Sequence, residues 1–291
     1  MAFPLALRGR PFEGRRPDPA AAGGLGTGRY ERMSRTWQVV GASVRGTSHF
    51  KTMIPCQDAC AYMVTDAGIL LAAVSDGAGS AARSDLGAQQ AVNQAIEILF
   101  GRLLDGRPAS HRAWGELLFE TFCETRRRVL GLVEEQGGQS REFACTLTIL
   151  IADPNWLISG QIGDGFAAAQ TADGQLIAVA APQRGEYADS TYFITADDAP
   201  ERFEGRVYRQ GRDIAAVRSL AVMTDGLINL AIDKRSGLPH QPFFEPLMEV
   251  PGNIRNHETA LEELYNFLVS DRINTRTDDD KTLVLAGRPV R

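Results

Sequence analysis

The chain alternates between apolar runs that predict buried β-strands and longer stretches with helical spacing. Residues 37–44 predict a strand, and Ile69–Val74 predicts a strand buried on both faces because it is apolar throughout. Between Ser80 and Leu104 the apolar residues recur on one stripe of a helix, and residues 110–135 show the same spacing. A glycine pair at 137–138 ends the second helix. This half of the chain therefore predicts strands followed by a helix pair.

Short strands separated by turn residues dominate the second half of the chain. The predicted elements are strands at Ala144–Ala152, Asn155–Ile162, Phe166–Thr171, Gln175–Ala180, Tyr192–Thr195, Ser219–Thr224 and Thr282–Ala286, with a further helix at Glu258–Leu268. Residues 172–174 predict a plain Asp-Gly hairpin turn. The order of elements predicts an α+β layered domain with two sheets rather than a regular βαβ alternation.

Composition divides the chain into an arm and a domain. Residues 1–34 are rich in Arg, Pro, Gly and Ala, which is typical of a flexible arm. The hydrophobic content of 44% supports a real core, and we predict a single domain over residues 35–291. The arm could contact an acidic partner or have no role, and the sequence leaves both interpretations open.

Charge narrows the classes of partner. The first 36 residues contain seven Arg and three acidic residues, so they carry +4 of a net charge of −5 and leave −9 on the remainder. An acidic body argues against nucleic acid as the main partner and is compatible with a carboxylate-rich cation site. No apolar run approaches the roughly 20 residues of a membrane helix, and no secretory signal follows the first arginines. We therefore predict neither a nucleic-acid nor a membrane partner.

The number and spacing of the cysteines favour a reducing cellular compartment. Cys56, Cys60, Cys123 and Cys145 form no CxxC pair, and no histidine pair supplies zinc spacing. Four cysteines in a chain of this length predict free buried thiols, and this favours a reducing, cytoplasmic location. The excess of Arg over Lys, with lysines only at Lys51, Lys234 and Lys281, is typical of a GC-rich bacterial genome.

Aspartates stand at the ends of several apolar runs. The runs 70–75 and 220–224 lead into Asp76-Gly77 and Asp225-Gly226, and Asp278–Asp280 opens the run 282–286. Asp58 and Asp164 add two further acidic points near strand ends. Buried strands that carry carboxylates at their ends are one way to hold a hard cation such as Mg²⁺ or Mn²⁺.

Each aspartate also has a simpler interpretation. Two of the five Asp-Gly pairs, at 105–106 and 173–174, read as ordinary turns. Asp225 could be a helix N-cap, Asp164 a hairpin tip, and Asp278–Asp280 a solvated loop. Asp76 differs because an apolar strand enters it and a helix follows, which a turn does not require.

Six segments in chain order resemble the motifs of the metal-dependent, type 2C (PPM) Ser/Thr protein phosphatases of the bacterial type. They are Gly41-Ala42-Ser43 with Gln57-Asp58-Ala59, Val74-Ser75-Asp76-Gly77-Ala78-Gly79, Cys145-Thr146-Leu147, Ile162-Gly163-Asp164-Gly165, Met223-Thr224-Asp225-Gly226-Leu227 and Asp279-Asp280-Lys281-Thr282. Each motif alone is a weak signal. Six in order, spread from Trp37 to Ala286, are a strong one.

The resemblance implies a fold and a set of roles. The fold is a central β-sandwich of two antiparallel sheets flanked by antiparallel α-helix pairs. Two Mg²⁺ or Mn²⁺ ions would be bridged by Asp76, with the Gly77 carbonyl as a further ligand. The shell of the first ion would be completed by Asp225 and Asp279. The remaining implied roles are a metal-bound water held by Asp58 and a third, weaker metal position formed by Asp164 with Asp225.

The sequence departs from the family's pattern at three positions. Ala78 replaces a histidine that protonates the leaving group in animal enzymes. Met53 stands where the phosphate-binding arginine is expected, so Arg45, His49 and Lys51 are the candidates for that contact. Asp280 replaces the usual asparagine, which we interpret as a small change that keeps the oxygen acceptor.

The predicted function is that of an enzyme, a metal-dependent Ser/Thr phosphoprotein phosphatase. It would hydrolyse phosphomonoesters with a metal-bridging water, act on a phosphorylated protein and oppose a cognate Ser/Thr kinase. Catalysis would rest on Asp76, Asp225 and Asp279. Two alternatives remain open: a phosphatase-like binding or sensor module without turnover, and a small-molecule phosphohydrolase.

Overall fold

The computed structural model describes residues 37–183 and 191–289. The predicted arm at residues 1–34 lies outside this range. So does most of the segment 185–192, whose polar and aromatic sequence is compatible with either a substrate-facing flap or a packed loop. The helices and strands below belong to the described residues.

Ten strands and five longer helices make up the domain. The strands are β1 Gln38–Val44, β2 Ala59–Val64, β3 Leu70–Ser75, β4 Leu147–Ala152, β5 Trp156–Ile162, β6 Phe166–Thr171, β7 Leu176–Ala180, β8 Glu204–Arg209, β9 Val217–Met223 and β10 Lys281–Gly287. The helices are α1 Thr47–Thr52, α2 Ser84–Asp105, α3 His111–Glu135, α4 Gln241–Glu249 and α5 His257–Leu268. Shorter helical turns lie at Ser140–Phe143, Ala199–Arg202, Asp225–Leu227, Ile228–Ala231, Pro251–Asn253 and Asp271–Asn274.

The strands form two five-stranded sheets. The first sheet has the order β1-β10-β9-β6-β7, and the second has the order β2-β3-β4-β5-β8. Every strand pair is antiparallel. The last strand, β10, lies between β1 and β9, with Leu283 opposite both Ala42 and Met223. The first sheet is therefore completed by the end of the chain.

Apolar side chains pack in three layers. Between the sheets, alternate residues of facing strands meet, such as Leu70 and Val74 of β3 with Leu220 and Val222 of β9. The other face of the second sheet packs against α2 and α3, and the other face of the first sheet packs against α4 and α5. This is the predicted sandwich of two antiparallel sheets flanked by helix pairs, and the expectation that β3 is buried on both faces is confirmed.

Four elements differ from the sequence prediction. The strand predicted at Tyr192–Thr195 is wrong, since Tyr192 and Phe193 have no regular secondary structure and Ile194 and Thr195 lie in a turn. Ile194 packs into the layer under α2 and α3. The edge strand β8 was missed because its sequence, with three charged residues and one glycine among six, lacks the apolar alternation of a covered strand. The helix α1 was missed because all its residues are at least partly exposed, and α4 because Pro242 and Pro246 argue against a helix.

One glycine of α2 is needed where this helix crosses the turn before β4. A Cβ atom at Gly87 would lie 2.2 Å from the carbonyl oxygen of Phe143, whereas a Cβ at Gly101 on the exposed face would meet open space. We expect Gly87→Ala to destabilise the domain by about 1–3 kcal/mol through overpacking. Gly101→Ala should stabilise it by about 0.5–1 kcal/mol because glycine is a poor helix former. Urea unfolding of both variants measures the difference, and equal midpoints would contradict this packing.

Candidate metal centre

Three aspartates from separate segments meet at one end of the sandwich. Asp76 follows β3, Asp164 lies between β5 and β6, and Asp225 follows β9. One carboxylate oxygen of each lies within 4.8 Å of the others, and all three side chains are half-buried. An all-oxygen, anionic cluster of this kind suits a hard divalent cation.

Backbone hydrogen bonds fix Asp76 and Gly77 at the end of β3. The amide of Asp76 donates to Oγ1 of Thr146 at 2.9 Å, and the amide of Thr146 donates to the carbonyl of Asp76 at 2.8 Å. The amide of Gly77 donates to the carbonyl of Gln57 at 3.1 Å. A Cβ at Gly77 would lie 2.8 Å from that carbonyl, so the loop after Asp76 can only close over the segment before Asp58 with glycine here.

Asp225 begins a one-turn helix after β9, and Thr224 occupies the N-cap position. The N-cap alternative for Asp225 is therefore wrong. Gly226 brings the turn against the end of the chain, because a Cβ there would lie 1.9 Å from the carbonyl oxygen of Asp280. The close approach of these two backbones places Asp225 next to the Asp278–Asp280 segment.

Asp164 lies in a tight turn that connects the two sheets. The preceding Gly163 has a φ of 105°, which an L-residue with a side chain rarely adopts. The turn leads from β5 in the second sheet to β6 in the first, so Asp164 is not a hairpin tip. Its Oδ1 is buried and has no hydrogen-bond partner among the described residues.

Asp58 lies beneath the cluster and is almost fully buried. Its Oδ2 accepts hydrogen bonds from Oγ1 of Thr224 at 2.7 Å and Oγ1 of Thr282 at 2.8 Å. Its Oδ1 is buried and has no partner in the part of the chain that the structure describes. One oxygen is thus held by two threonine hydroxyls, and within that part of the chain the other has no such donor.

The segment before β10 contributes two aspartates with different surroundings. Asp279 is exposed, and its Oδ1 accepts from the amide of Asp280 at 2.8 Å. The neighbouring Asp280 is buried and points away from solvent, toward the loop before Asp58. Lys281 is buried too, and its Nζ reaches Oδ1 of Asn274 at 2.9 Å.

Crowding of carboxylates dominates the electrostatics. Burial, followed by the negative charges of Asp58 and Asp225, raises the pKa of Asp76 well above its usual value. Burial and the charge of Asp280 do the same to the pKa of Asp58. Burial, with Asp164 and Asp279 nearby, raises the pKa of Asp225 to about 7. Each shift has the sign expected where anions face each other without a compensating cation.

A divalent cation fits this site on the observations above. The donor atoms are carboxylate oxygens, two of them are buried without a partner, and the raised pKa values reflect uncompensated negative charge. A bound cation would satisfy the free oxygens and oppose the repulsion between the aspartates. Asp76, Asp164 and Asp225 are the closest set, with Asp58 beneath and Asp279 beside Asp225.

The three candidates for phosphate binding lie on or beside α1 and differ in how they are held. Nη2 of Arg45 donates to the carbonyl of His49 at 2.7 Å, and its guanidinium lies 4.6 Å from the centre of the Phe50 ring. Nδ1 of His49 lies 3.0 Å from Oδ1 of Asp280. The side chain of Lys51 is exposed. Met53 is exposed as well and has a φ of 61°.

Sequence reasoning did not identify the residues that hold the aspartates in place. These are Thr146, Thr224 and Thr282, each of which lies in a motif quoted above without a role of its own. The burial of Asp280 was not predicted either, because the groups that contact its carboxylate, Gly46, His49 and Gln57, are far from it in sequence. Hydroxyls beside a buried carboxylate could have been inferred from the Thr-Asp-Gly and Asp-x-x-Thr patterns, since buried polar groups need partners.

Comparison with known proteins finds protein phosphatases both among family models and among individual relatives. The sequence model of the family described as "Protein phosphatase 2C" matches residues 45–268. The chain is 35% identical over 262 residues to serine/threonine-protein phosphatase 3 of Escherichia coli K12, which covers 86% of this chain and 98% of that protein.

Solved structures support the fold. The structure of PppA, described as a key regulatory component of T6SS in Pseudomonas aeruginosa, matches with a TM-score of 0.55 at 17% identity, covering 86% of this chain and 97% of that one. The catalytic domain of the serine threonine protein phosphatase PstP, in complex with two manganese ions, matches with a TM-score of 0.50 at 15% identity, covering 87% and 99%. At these identities the likeness concerns the fold alone.

The raised pKa values predict how pH affects the metal-free protein. A carboxyl whose folded pKa exceeds its unfolded value binds more protons in the folded state, so its contribution to stability falls as pH rises through that interval. For Asp225 the interval runs from the ordinary value of 3.8 to about 7. In EDTA we expect the melting temperature to fall by several degrees between pH 5 and pH 8, given about 2–4 °C per kcal/mol.

Mn²⁺ should reverse that loss, because it binds the deprotonated carboxylates. The gain in melting temperature with Mn²⁺ should therefore grow from pH 5 to pH 8, and thermal denaturation with and without EDTA measures it. Asp225→Asn should melt at a higher temperature than the wild type in EDTA at pH 8, since it removes one repelling charge. The same stability for both proteins would contradict the electrostatic account, and Asp105→Asn, at an exposed Asp-Gly pair, is the control.

Proposed function

Because this chain belongs to the protein phosphatase 2C family, we propose that it is a Ser/Thr phosphoprotein phosphatase that works with divalent cations held by its aspartates. The observation that carries the proposal is the meeting of Asp76, Asp164 and Asp225, with oxygen atoms within 4.8 Å of one another. These residues come from loops of both sheets and are more than 140 positions apart at the extremes of the set. Turn formation does not require such convergence, whereas cation binding does.

The proposed metal sites are two positions for Mg²⁺ or Mn²⁺ and a third, weaker one. In this assignment Asp76 would serve both principal positions, the carbonyl of Gly77 would add a further ligand, and Asp225 and Asp279 would complete the first position. The third position belongs to Asp164 together with Asp225. When bound, paired cations of this kind activate water as a nucleophile and neutralise phosphate charge.

The chain's own residues orient the groups around the cations. Asp58 lies beneath the cluster, and Thr224 and Thr282 fix one of its carboxylate oxygens. The other oxygen is available to accept a proton or to orient a water molecule. The threonines also prevent Asp58 from rotating, which keeps that oxygen in one place. The position after Asp76-Gly77 is Ala78, so no acid from this position protonates the leaving group.

Among the three basic candidates for phosphate binding, we propose Arg45. Its guanidinium is partly buried, lies over Phe50 and is bonded to the backbone of α1, so its orientation is restricted before substrate arrives. A planar guanidinium also offers two parallel donors to a phosphate. His49 is engaged by Asp280, and Lys51 extends into solvent.

The proposed partners are a phosphorylated protein substrate and a cognate Ser/Thr kinase. The name of the Escherichia coli relative, a serine/threonine-protein phosphatase, supports this class of partner. We place the protein in the cytoplasm, since all four cysteines are free thiols and three of them are buried. Within the described residues, no helix has the length and apolar character needed to cross a membrane.

The metal assignment predicts the effect of neutral substitutions. Asp76→Asn and Asp225→Asn should each lower Mn²⁺-dependent hydrolysis of p-nitrophenyl phosphate and of a phosphoserine peptide by at least about 100-fold, because an amide cannot offset the charge of the cation. EDTA should abolish the wild-type activity, and Mn²⁺ should restore it. Asp173→Asn, at an Asp-Gly turn away from the cluster, is the matched control and should be unaffected.

Near wild-type turnover in Asp76→Asn or Asp225→Asn would reject the metal assignment. A wild-type protein that binds Mn²⁺ and phosphopeptide without hydrolysing either substrate would instead favour the binding-module alternative. Hydrolysis of p-nitrophenyl phosphate and of small phosphomonoesters, but not of phosphopeptides, would favour the small-molecule phosphohydrolase.

The assignment of Arg45 predicts a specific kinetic change. Arg45→Ala should raise the KM for a phosphopeptide by about tenfold or more, because a charged hydrogen bond to the phosphate is lost, while Mn²⁺ affinity stays unchanged. Lys51→Ala, which removes an exposed positive charge only six residues away, is the matched control. Steady-state kinetics and calorimetric Mn²⁺ titration of both variants measure the two quantities. An unchanged KM in Arg45→Ala would show that the contact comes from elsewhere.

A further inference from the structure

The segment from Gly46 to Gln57 separates Arg45 from Asp58 and carries α1. All six residues of α1 are at least partly exposed, so apolar packing does not fix this helix to the domain. The first and last residues of the segment, Gly46 and Gln57, nevertheless donate hydrogen bonds to Asp280, which immediately precedes β10. Polar contacts therefore hold this surface helix beside the candidate metal centre.

Asp280 makes contact with both ends of the segment and with its middle. The amide of Gly46 donates to Oδ1 at 2.6 Å, and the amide of Gln57 donates to Oδ2 at 2.6 Å. Nδ1 of His49 lies 3.0 Å from Oδ1. The side chain of Asp280 is only 2% exposed, so these contacts replace the hydrogen bonds to water that a carboxylate loses when it is buried.

Two backbone amides, one on each oxygen, require a carboxylate at this position. Both oxygens of a carboxylate accept hydrogen bonds, whereas an asparagine presents one acceptor and one NH₂ group. An amide nitrogen at either position would face the N–H of Gly46 or of Gln57 with donor against donor. The exchange of the family's usual asparagine for Asp280 is thus a larger change than the sequence suggested, since it is matched by the groups that surround it.

The backbone of the same segment also approaches Asp278 and Asp279 closely. The amide and hydroxyl of Ser48 both donate to the carbonyl of Asp278, at 2.9 and 2.6 Å. A Cβ atom at Gly46 would lie 2.3 Å from the carbonyl carbon of Asp279. The start of α1 is therefore held against residues 278–280 by hydrogen bonds and by a contact that only glycine allows.

We infer that Asp280 is a positioning residue for the proposed phosphatase reaction: its carboxylate holds residues 46–57 in place and so sets Arg45 relative to the aspartate cluster. The inference rests on the proposed function for its kinetic part. Asp280 itself does not contact the substrate in this account. It acts through the segment it binds, and its effect falls on substrate binding rather than on the affinity for cations.

Two substitutions test the inference from opposite sides. Asp280→Asn removes one acceptor and introduces a donor, and Gly46→Ala leaves every charge unchanged but forces the segment away from Asp279. Asp278→Asn is the matched control, because it removes a neighbouring negative charge whose side chain is exposed. All variants are made in the full chain.

The first readout is hydrogen–deuterium exchange, which does not depend on activity. In Asp280→Asn and Gly46→Ala we expect peptides covering residues 46–57 to exchange about tenfold faster or more, because donors are left unpaired, while β3 and β9 stay protected. Asp278→Asn should exchange like the wild type. Unchanged exchange of residues 46–57 in both test variants would overturn the inference, whatever the protein's activity.

The second readout is the separation of KM from Mn²⁺ affinity. Both test variants should raise the KM for a phosphoserine peptide by about tenfold or more, and the rise should persist at saturating Mn²⁺, where the charge of Asp280 no longer affects how much cation is bound. A loss of Mn²⁺ binding in Asp280→Asn but not in Gly46→Ala would overturn the inference, since Asp280 would then act on the cation directly. Faster exchange with an unchanged KM would also overturn it, because the segment would have moved without effect on the substrate.

Discussion

Repulsion among carboxylates is the constraint around which this domain is organised. Asp58, Asp76, Asp164 and Asp225 are held at one end of the sandwich although their charges raise one another's pKa values. The strands beside these residues cannot separate to relieve that repulsion, because β3, β5, β6 and β9 are hydrogen-bonded to neighbours and largely buried. The two rigid sheets therefore hold these carboxylates close together, and a bound cation or protonation is needed to reduce their repulsion.

The site is assembled mainly by backbones that approach one another closely. Gly77 lies against the carbonyl of Gln57, Gly226 against that of Asp280, and Gly46 against Asp279. Each contact joins two loops that are distant in sequence, and each excludes a side chain. The layered core supplies stability, while these glycines determine how near the aspartates come. In these Asp-Gly motifs the glycine thus lets two backbone segments approach each other closely, as well as allowing the chain to reverse.

Much of the fold could be predicted from the sequence because its central strands are covered on both faces and read as apolar runs. The edge strand β8, the exposed α1 and the proline-containing α4 could not, since burial does not shape their sequences. The same distinction applies to the site. Aspartates at the ends of buried strands stand out, whereas the partners of Asp280 are set by tertiary contacts that no local pattern encodes.

The order of the strands has a consequence for how the protein is made. The strand β10 lies inside the first sheet, between β1 and β9, and it follows directly on Asp279 and Asp280. Until β10 has been translated, β1 and β9 have no shared neighbour, and Asp58 lacks Thr282, one of its two threonine partners. Non-local pairing of this kind is slow and can begin only when residues 279–287 have left the ribosome. The aspartate cluster is thus assembled late relative to its own strands, and a chain cut before residue 279 would lack the segment that closes it.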